Sequence, residues 1–235
     1  TLFRNNGYFY WQPSYASYLA DTTSVPGKVQ VRLQAIEKLP AKAKRPWYVG
    51  NICIDLRKNY LDALTDSFQR GSFMVRFRGR RPPLRVPVIL QGTKLRSHKL
   101  YSYQDYQESM AHVSSTGLFS VVDFTFTPRD TTSANDTLDL RINAVLDKPY
   151  DFYVEGNLVG KTNNRVGPGL VMGFTKRNAF RGGELLDINL KGSYEWQTSQ
   201  QGERSKSKFN SYEYGVDASL MFPRMVIPFV DFFRD

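Results

Sequence analysis

Between Tyr150 and Pro223 the chain writes one pattern four times: a strand-length stretch in which every second residue is apolar. Tyr150, Phe152, Val154, Gly156 and Leu158 alternate with Asp151, Tyr153, Glu155 and Asn157. Val166, Pro168, Leu170, Met172 and Phe174 alternate with Gly167, Gly169, Gly173 and Thr175. Leu186, Ile188, Leu190, Tyr194 and Trp196 are interleaved with Asp187, Asn189, Lys191, Glu195 and Gln197. Tyr212, Tyr214, Val216, Ala218, Leu220 and Phe222 are set against Ser211, Glu213, Gly215, Asp217 and Ser219. Side chains alternate faces along a strand, so each segment has one apolar and one polar face. Strands of about 10 to 13 residues with this alternation predict the wall of a transmembrane β-barrel.

The strand ends sharpen that expectation. If the first strand starts at the periplasmic side, a meander places Tyr150, Phe152, Phe174 and Phe222 at one membrane edge. Tyr194, Trp196, Tyr212 and Tyr214 then fall at the other. Two aromatic girdles flanking aliphatic residues are what lipid–water boundaries select. A soluble β-sandwich also alternates, but its strands are usually shorter and there is less reason for aromatics at their ends. Four strands do not close a barrel. The apolar run from Val226 to Asp235 leads to the expectation that the barrel sequence continues, or else that several copies each donate four strands.

The earlier part of the chain contains a repeat. Gly7-Tyr8-Phe9 opens a β pattern, reaches Asp21-Thr22-Thr23 and enters Val29-Gln30-Val31-Arg32-Leu33-Gln34-Ala35. About 110 residues on, a domain-scale spacing, Gly117-Leu118-Phe119 leads through Asp130-Thr131-Thr132 into Leu138-Asp139-Leu140-Arg141-Ile142-Asn143-Ala144. Each copy reads as a glycine-terminated helix, a strand, a polar turn and a second strand. The first copy lacks its front portion. In the second, Tyr48, Gly50, Ile52 and Ile54 alternate in a leading strand. Ser102-x-x-Asp105 has the form of a capping box, and Tyr103, Tyr106, Met110 and Val113 share one helical face. An α+β domain follows, a small sheet with helices on one face.

Charge is concentrated between the leading strand and that helix. Residues 57–99 hold eleven Lys or Arg against Asp62 and Asp66, and so carry nine of the chain's ten net positive charges. Arg76, Arg78, Arg80, Arg81 and Arg85 gather around Pro82-Pro83. Three readings compete: a solvated basic face, contact with anionic headgroups or an acidic partner, and nucleic-acid binding beside Phe73, Phe77 and Trp47. The alternation of Phe73, Val75 and Phe77 reads as core packing instead, which weighs against the last, and no nucleic-acid partner is expected.

No run approaches the roughly 18 apolar residues of a spanning helix, a test that barrel strands evade because half their residues are polar. Cys53 is the single cysteine, so an intramolecular disulfide is excluded and a buried, apolar role is expected. The sequence opens at Thr1 without a signal peptide and is expected to be mature or partial. His98 and His112 lack any ligand spacing, so no metal site is indicated. There is no Gly-x-Ser-x-Gly and no phosphate loop. Asp151 and Glu155 read as charges lining a lumen rather than as a catalytic pair. No catalytic residue, cofactor or enzyme activity is expected.

A glycine-led helix–strand–strand repeat that feeds a barrel through Asp147-Lys148-Pro149-Tyr150 resembles the Omp85 superfamily, the BamA/TamA family of outer-membrane proteins. The resemblance is nearest to the TamA-like branch of Bacteroidota called TamL. Its stretches are Asn5-Asn6-Gly7-Tyr8-Phe9, Arg80-Arg81-Pro82-Pro83-Leu84, Gly117-Leu118-Phe119, Phe124-Thr125-Phe126-Thr127-Pro128 and Gly167-Pro168-Gly169. The most specific is Arg177-Asn178-Ala179-Phe180-Arg181-Gly182-Gly183-Glu184, similar to an asparagine–aromatic–glycine turn between early barrel strands. The family's later lumen-plugging loop, with its arginine-glycine signature, has no counterpart here.

The resemblance implies periplasmic POTRA domains before an outer-membrane barrel of about 16 strands. Residues 1–45 would be the tail of the penultimate POTRA domain, and 46–147 the final one with a basic insertion at 57–99. Residues 148–235 would be the first four or so barrel strands. The turn at Thr162–Arg165 and the loop at Thr198–Ser207 would face outward, and a turn built on Arg177, Asn178, Phe180, Gly182 and Gly183 would face the periplasm. The implied function is insertion of other outer-membrane proteins in a Gram-negative bacterium. Clients would add to POTRA strand edges and be templated on the first barrel strand at Phe152, Val154, Gly156, Leu158 and Gly160. Tyr150, Phe174, Tyr194, Trp196, Tyr212, Tyr214 and Phe222 would form the girdles. Implied partners are unfolded outer-membrane protein clients, outer-membrane lipid and a periplasmic TamB-like or lipoprotein partner. A polypeptide export pore and a multichain barrel are the alternatives.

Overall fold

The computed structural model describes residues 1–223 apart from 22, 24–26, 131–135, 162–164 and 198–209. The outward loop expected at 198–207, all of the outward turn but Arg165, and the apolar run from Val226 lie outside the described residues. The chain is mostly β-sheet with few helices, and it divides into two compact units. The first comprises Thr1–Pro82 and Ile89–Val145; the second comprises Pro83–Val88 and the chain from Leu146 onward.

The first unit opens with a short helix α1 (Leu2–Asn5) and a ribbon of β1 (Ala16–Asp21) and β2 (Gln30–Ala35), paired antiparallel with Tyr18 opposite Leu33. There follow β3 (Tyr48–Arg57), β4 (Asp66–Arg70), β5 (Phe73–Phe77), a short helix α2 (Val86–Leu90) whose first three residues count with the second unit, α3 (Tyr103–Ser115), β6 (Phe119–Pro128) and β7 (Thr137–Leu146). The five strands β3 to β7 form one sheet in the order β4-β5-β3-β7-β6, with β3 parallel to both β5 and β7. The basic insertion thus supplies two of these strands, as a hairpin turned at Gly71 with φ 60°. It seals the flank of β3 that β7 leaves free.

One face of this sheet is the core. Val75, Ile54 and Ile142 form a row across three strands and are all fully buried. Leu138, Leu140 and Ala144 on β7 and Val113 on α3 join them. At roughly 25 cal/mol per Å² of apolar surface, such burial is the main force holding the sheet together. The helix start predicted at Ser102 is present: its hydroxyl accepts the Asp105 N–H at 3.2 Å, and Gly117 follows the helix with φ 66°. On α3 the buried residues are Ser109 and Val113.

Two expectations for this unit need correction. The alternation in β3 breaks at Gly50-Asn51, where the register with β7 shifts, so Tyr48 points out and Val49 is buried. A Cβ on Gly50 would collide with the Asp139 carboxylate, which accepts the Asn51 N–H at 2.7 Å. Strand β1 begins only at Ala16, well beyond Gly7-Tyr8-Phe9. Phe9 instead turns into an aromatic cluster with Tyr101 and Phe126, at centroid distances of 4.9 and 5.5 Å. Burial there pushes the Tyr101 hydroxyl up to about 12.

The second unit carries β8 (Tyr150–Lys161), β9 (Arg165–Arg177), β10 (Leu185–Gln197) and β11 (Ser211–Met221), an antiparallel meander in the order β11-β10-β9-β8. Among the described residues it is an open sheet and not a closed barrel. The four alternating segments of the sequence are these four strands.

Candidate functional site

Register decides whether four alternating strands share one apolar face, because a one-residue slip would move a whole strand's apolar set to the opposite side. Here all four agree. Phe152 stands opposite Phe174, Phe174 opposite Ile188, and Ile188 opposite Ala218. The next row is Val154, Met172, Leu190 and Val216; the one beyond is Gly156, Leu170, Gly192 and Tyr214. This continuous apolar face is exposed: Phe152 by 68%, Leu158 by 76%, Leu190 by 48% and Val216 by 68%. An apolar surface spanning four strands exceeds what monomeric soluble proteins ordinarily leave open.

The predicted girdle residues sit on this face. Tyr150 and Phe174 stack at 5.9 Å, with the Lys176 ammonium 5.7 Å from the Tyr150 ring. Phe222 follows β11 and is half-exposed. At the other end Tyr194 lies opposite Tyr212, and its ring is 6.2 Å from that of Trp196. Tyr214 pairs with Gly192, one row further in than Tyr212.

The reverse face is polar and internally bonded. The Tyr153 hydroxyl donates to Asn189 at 2.9 Å, and that of Thr175 donates to Asp187 at 2.5 Å. Arg177 pairs with Asp151, and Lys191 with Asp217. Asp151 is therefore held in an ion pair on this face. Glycines let the strands approach: a Cβ on Gly173 would strike the Tyr153 ring, and one on Gly167 the Tyr194 carbonyl.

On β8 the five predicted templating positions, Phe152, Val154, Gly156, Leu158 and Gly160, fall on the apolar face. Among the described residues β8 pairs with β9 alone, so its other edge presents free amides and carbonyls. Gly156 and Gly160 have nothing within 4 Å of a built Cβ, and neither has positive φ. Neither close contact nor backbone geometry demands glycine there.

The turn between β9 and β10 is the most tightly built part of the second unit. Asn178, Arg181 and Gly183 adopt φ of 56°, 67° and 82°, left-handed values that favour glycine or asparagine. Glu184, 6% exposed, folds back to accept the N–H groups of Phe180 at 3.1 Å and Gly182 at 2.9 Å. The Asn178 side chain accepts the Gly183 N–H at 3.1 Å and donates to the Pro83 carbonyl at 2.8 Å. The Arg85 N–H in turn donates to the Arg181 carbonyl at 2.8 Å, and Leu84 and Val86 are buried. Phe180 itself is 59% exposed. Sequence reasoning named the turn but missed the role of Glu184 and the strap Pro83–Val88. The acidic residue directly after Gly182-Gly183 was the available signal for the first; nothing in the sequence signalled the second.

The five clustered arginines do not act as one patch. Arg76 grips the buried Asp55 with two bonds of 2.6 and 2.5 Å on the sheet face away from the core, and that bonding raises it further above its ordinary value. Arg78 pairs with Asp62 at 3.0 Å. The Asn59 N–H, then Arg78, hold the Asp62 carboxyl below its usual range. Arg80, Arg81 and Arg85 are exposed. Cys53 is not the buried apolar residue expected. It lies half-buried on the polar sheet face, with Sγ 3.5 Å from Asp55, and burial, then the Asp55 charge, pushes its thiol up. Among the described residues no cluster of three His, Cys, Asp or Glu is placed to hold a metal, and no helix is long and apolar enough to cross a membrane.

No family model matches the chain, and no curated protein matches it. Solved structures that resemble it include BamA from Haemophilus ducreyi lacking POTRA domains 1–3, at 10% identity and a TM-score of 0.45, covering 93% of this chain and 39% of that one. POTRA1–3 of the periplasmic domain of Omp85 from Anabaena aligns at 17% identity and a TM-score of 0.33, over 63% of this chain and 47% of that one. CdiB from Acinetobacter baumannii aligns at 9% identity and a TM-score of 0.39, over 81% and 30%. The chain spans less than half the length of each.

Proposed function

We propose that the four-stranded sheet is the leading part of an outer-membrane barrel wall in an Omp85-like assembly factor of the TamL kind, and that the first unit is its periplasmic, POTRA-type module. One observation carries this reading: the register gathers the alternating apolar positions of four strands into a single exposed face, while the strand charges other than Lys176 fall on the other. Hydrocarbon is the solvent that such a face suits.

In this role β8 is the template. Its outer edge offers unpaired backbone groups whose exposure in lipid is costly, so a client strand that satisfies them is captured without nucleotide or cofactor. The open glycines Gly156 and Gly160 contribute no side-chain packing along that strand, which suits an edge that yields. In the first unit both flanks of β3 are occupied, which leaves β4 and β6 as edges. Strand β4 has five residues with Asp66 and Arg70 at its ends, a blunted edge; β6 has ten and is the better seat for an extended client. Lipid, unfolded outer-membrane clients and a TamB-like or lipoprotein partner are the expected company.

The test is a disulfide that locks β8, through a cysteine at Gly156, to the final strand of the full-length barrel in a Cys53→Ala background. Locked protein that reaches the membrane while its clients accumulate unfolded supports templating. Normal client assembly together with continued export of a secreted polypeptide overturns it in favour of a conduit.

A further inference from the structure

The apolar face is not uniform. Around Leu170 lies an open depression of about 620 Å³, floored at Gly156 and Gly192 and walled by Leu158, Pro168 and Tyr194. On either side the same-face rows are filled, by Val154, Met172 and Leu190 on one side and by Leu158 and Tyr194 on the other. Omitting two side chains from a middle row leaves hollows between ridges that lie about 14 Å apart, four strand rises of roughly 3.4 Å.

Neither glycine is demanded by the protein's own packing. A Cβ at Gly156 or Gly192 meets nothing within 4 Å, and neither residue has positive φ. The contrast is with Gly167 and Gly173 in the same sheet, where a Cβ would strike backbone or the Tyr153 ring. Chemistry narrows the occupant. Strands β9 and β10 each pair on both sides, so their backbone polar groups are used within the sheet. Along β9 and β10 the hollow therefore presents carbon, with a tyrosine at its rim; Asn157 and Ser193, which also border it, belong to alternate rows whose side chains fall on the polar face. Its occupant has to be apolar and needs no hydrogen-bonding partner, and phenol rings beside aliphatic surface are typical of the lipid–water boundary.

We propose that this hollow is a seat for a lipid acyl chain, which lies against Gly156 and Gly192 and is flanked by Leu158, Leu170 and Tyr194. The proposal rests on the reading of this face as membrane-exposed. It adds that one chain of an adjacent lipid is retained there in preference to free exchange.

Trp196, on the same face and next in line after Tyr194, is the reporter. The full-length protein is reconstituted in vesicles of diphytanoyl phosphatidylcholine, whose methyl-branched chains fit a narrow hollow less closely, and a rising share is replaced by straight-chain dioleoyl phosphatidylcholine brominated toward the headgroup end of its chains. Bromine quenches only fluorophores that it approaches closely; Trp11 and Trp47 belong to the first unit, and any tryptophan beyond residue 235 is replaced by phenylalanine so that Trp196 reports alone. At low brominated fractions the quenching is expected to exceed that for random mixing about twofold, as preferential occupancy requires. Gly192→Leu fills the hollow and is expected to return the curve to random mixing. Gly215→Leu, equally unhindered but on the polar face, is expected to keep the native curve.

A native curve already on the random-mixing line overturns the seat while leaving the membrane-facing reading intact. Equal loss of the excess in Gly192→Leu and Gly215→Leu overturns it as well. Absence of quenching at every brominated fraction places the face outside hydrocarbon, and both readings then fall.

Discussion

Strands β7 and β10 carry the same period-two pattern, yet their apolar residues have opposite fates. Leu138, Leu140 and Ile142 on β7 are at most 1% exposed, whereas Leu190, Tyr194 and Trp196 on β10 are exposed by 41 to 48%. Alternation says that a strand has two faces; it does not say which solvent the apolar one meets. Residue choice does. Strand β7 draws on Leu, Ile and Ala that interlock with Val75, Ile54 and Val113. Strands β8, β10 and β11 place tyrosine or tryptophan at their ends, and β8 and β10 leave glycine in the middle of the face. The β1–β2 ribbon repeats the lesson inside the first unit. Val31 and Leu33 match Leu140 and Ile142 in the repeat but are exposed by 62 and 52%, because among the described residues β2 pairs with β1 alone.

The same substitution in both strands breaks the comparison most sharply. Leu140→Arg buries a charge in a closed core and is expected to cost more than about 4 kcal/mol, enough to unfold the first unit in a denaturant titration. Leu190→Arg is expected to change stability by less than about 0.5 kcal/mol where the face meets water, and to cost about 2–4 kcal/mol when the full-length protein folds into a bilayer. Folding titrations of that variant with and without vesicles check this. Equal cost in both media would remove the membrane assignment of the sheet.

A smaller effect tests the polar side of the five-stranded sheet. Asp55 is 1% exposed and holds both Arg76 bonds, so Asp55→Ala strands a guanidinium on the sheet and is expected to cost about 3 kcal/mol. Asp55→Ala with Arg76→Met is expected to recover most of that. A double-mutant cycle followed by urea unfolding reads the coupling. Arg80→Ala, at an exposed arginine, is expected to stay within about 0.5 kcal/mol.

The strands of the second unit were legible in the sequence because each is long and alternating, so that each has an apolar and a polar face followed from period alone; that the four apolar faces coincide is set by register. The cap at Ser102 and the glycine after α3 were legible for a similar reason: local chemistry fixes them. What escaped was decided at a distance. The β3 bulge depends on the Asp139 carboxylate 88 residues away, and the displaced start of β1 depends on Phe9 finding Tyr101 and Phe126. The basic insertion read as a charge cluster, whereas pairing across strands sets Arg76 beside Asp55 on the sheet face away from the core. The strap at Pro83–Val88 is held by carbonyl and N–H groups, which every sequence supplies, so no residue type announces it.

That strap and the turn it meets are where the exposed sheet acquires a core of its own, and they give the mildest test. Glu184 is the acceptor for two N–H groups, of which that of Gly182 is buried, and Gly182 leaves it the room: a Cβ there would collide with the carboxylate. Both donors share one oxygen, Oε2, so Glu184→Gln can keep both bonds, whereas Glu184→Ala removes the acceptor from both. The expected cost of Glu184→Ala is about 1–3 kcal/mol, the range for leaving a buried polar group unpaired. It should be read locally, because β9 and β10 stay paired through eleven residue positions above the turn. Faster hydrogen exchange at Phe180, Gly182 and Arg85, with unchanged exchange at Val171 and Lys191, is the expected result. Faster exchange along the whole of β9 and β10 would mean that the turn holds the hairpin together, and that the free face owes its order to this one buried carboxylate.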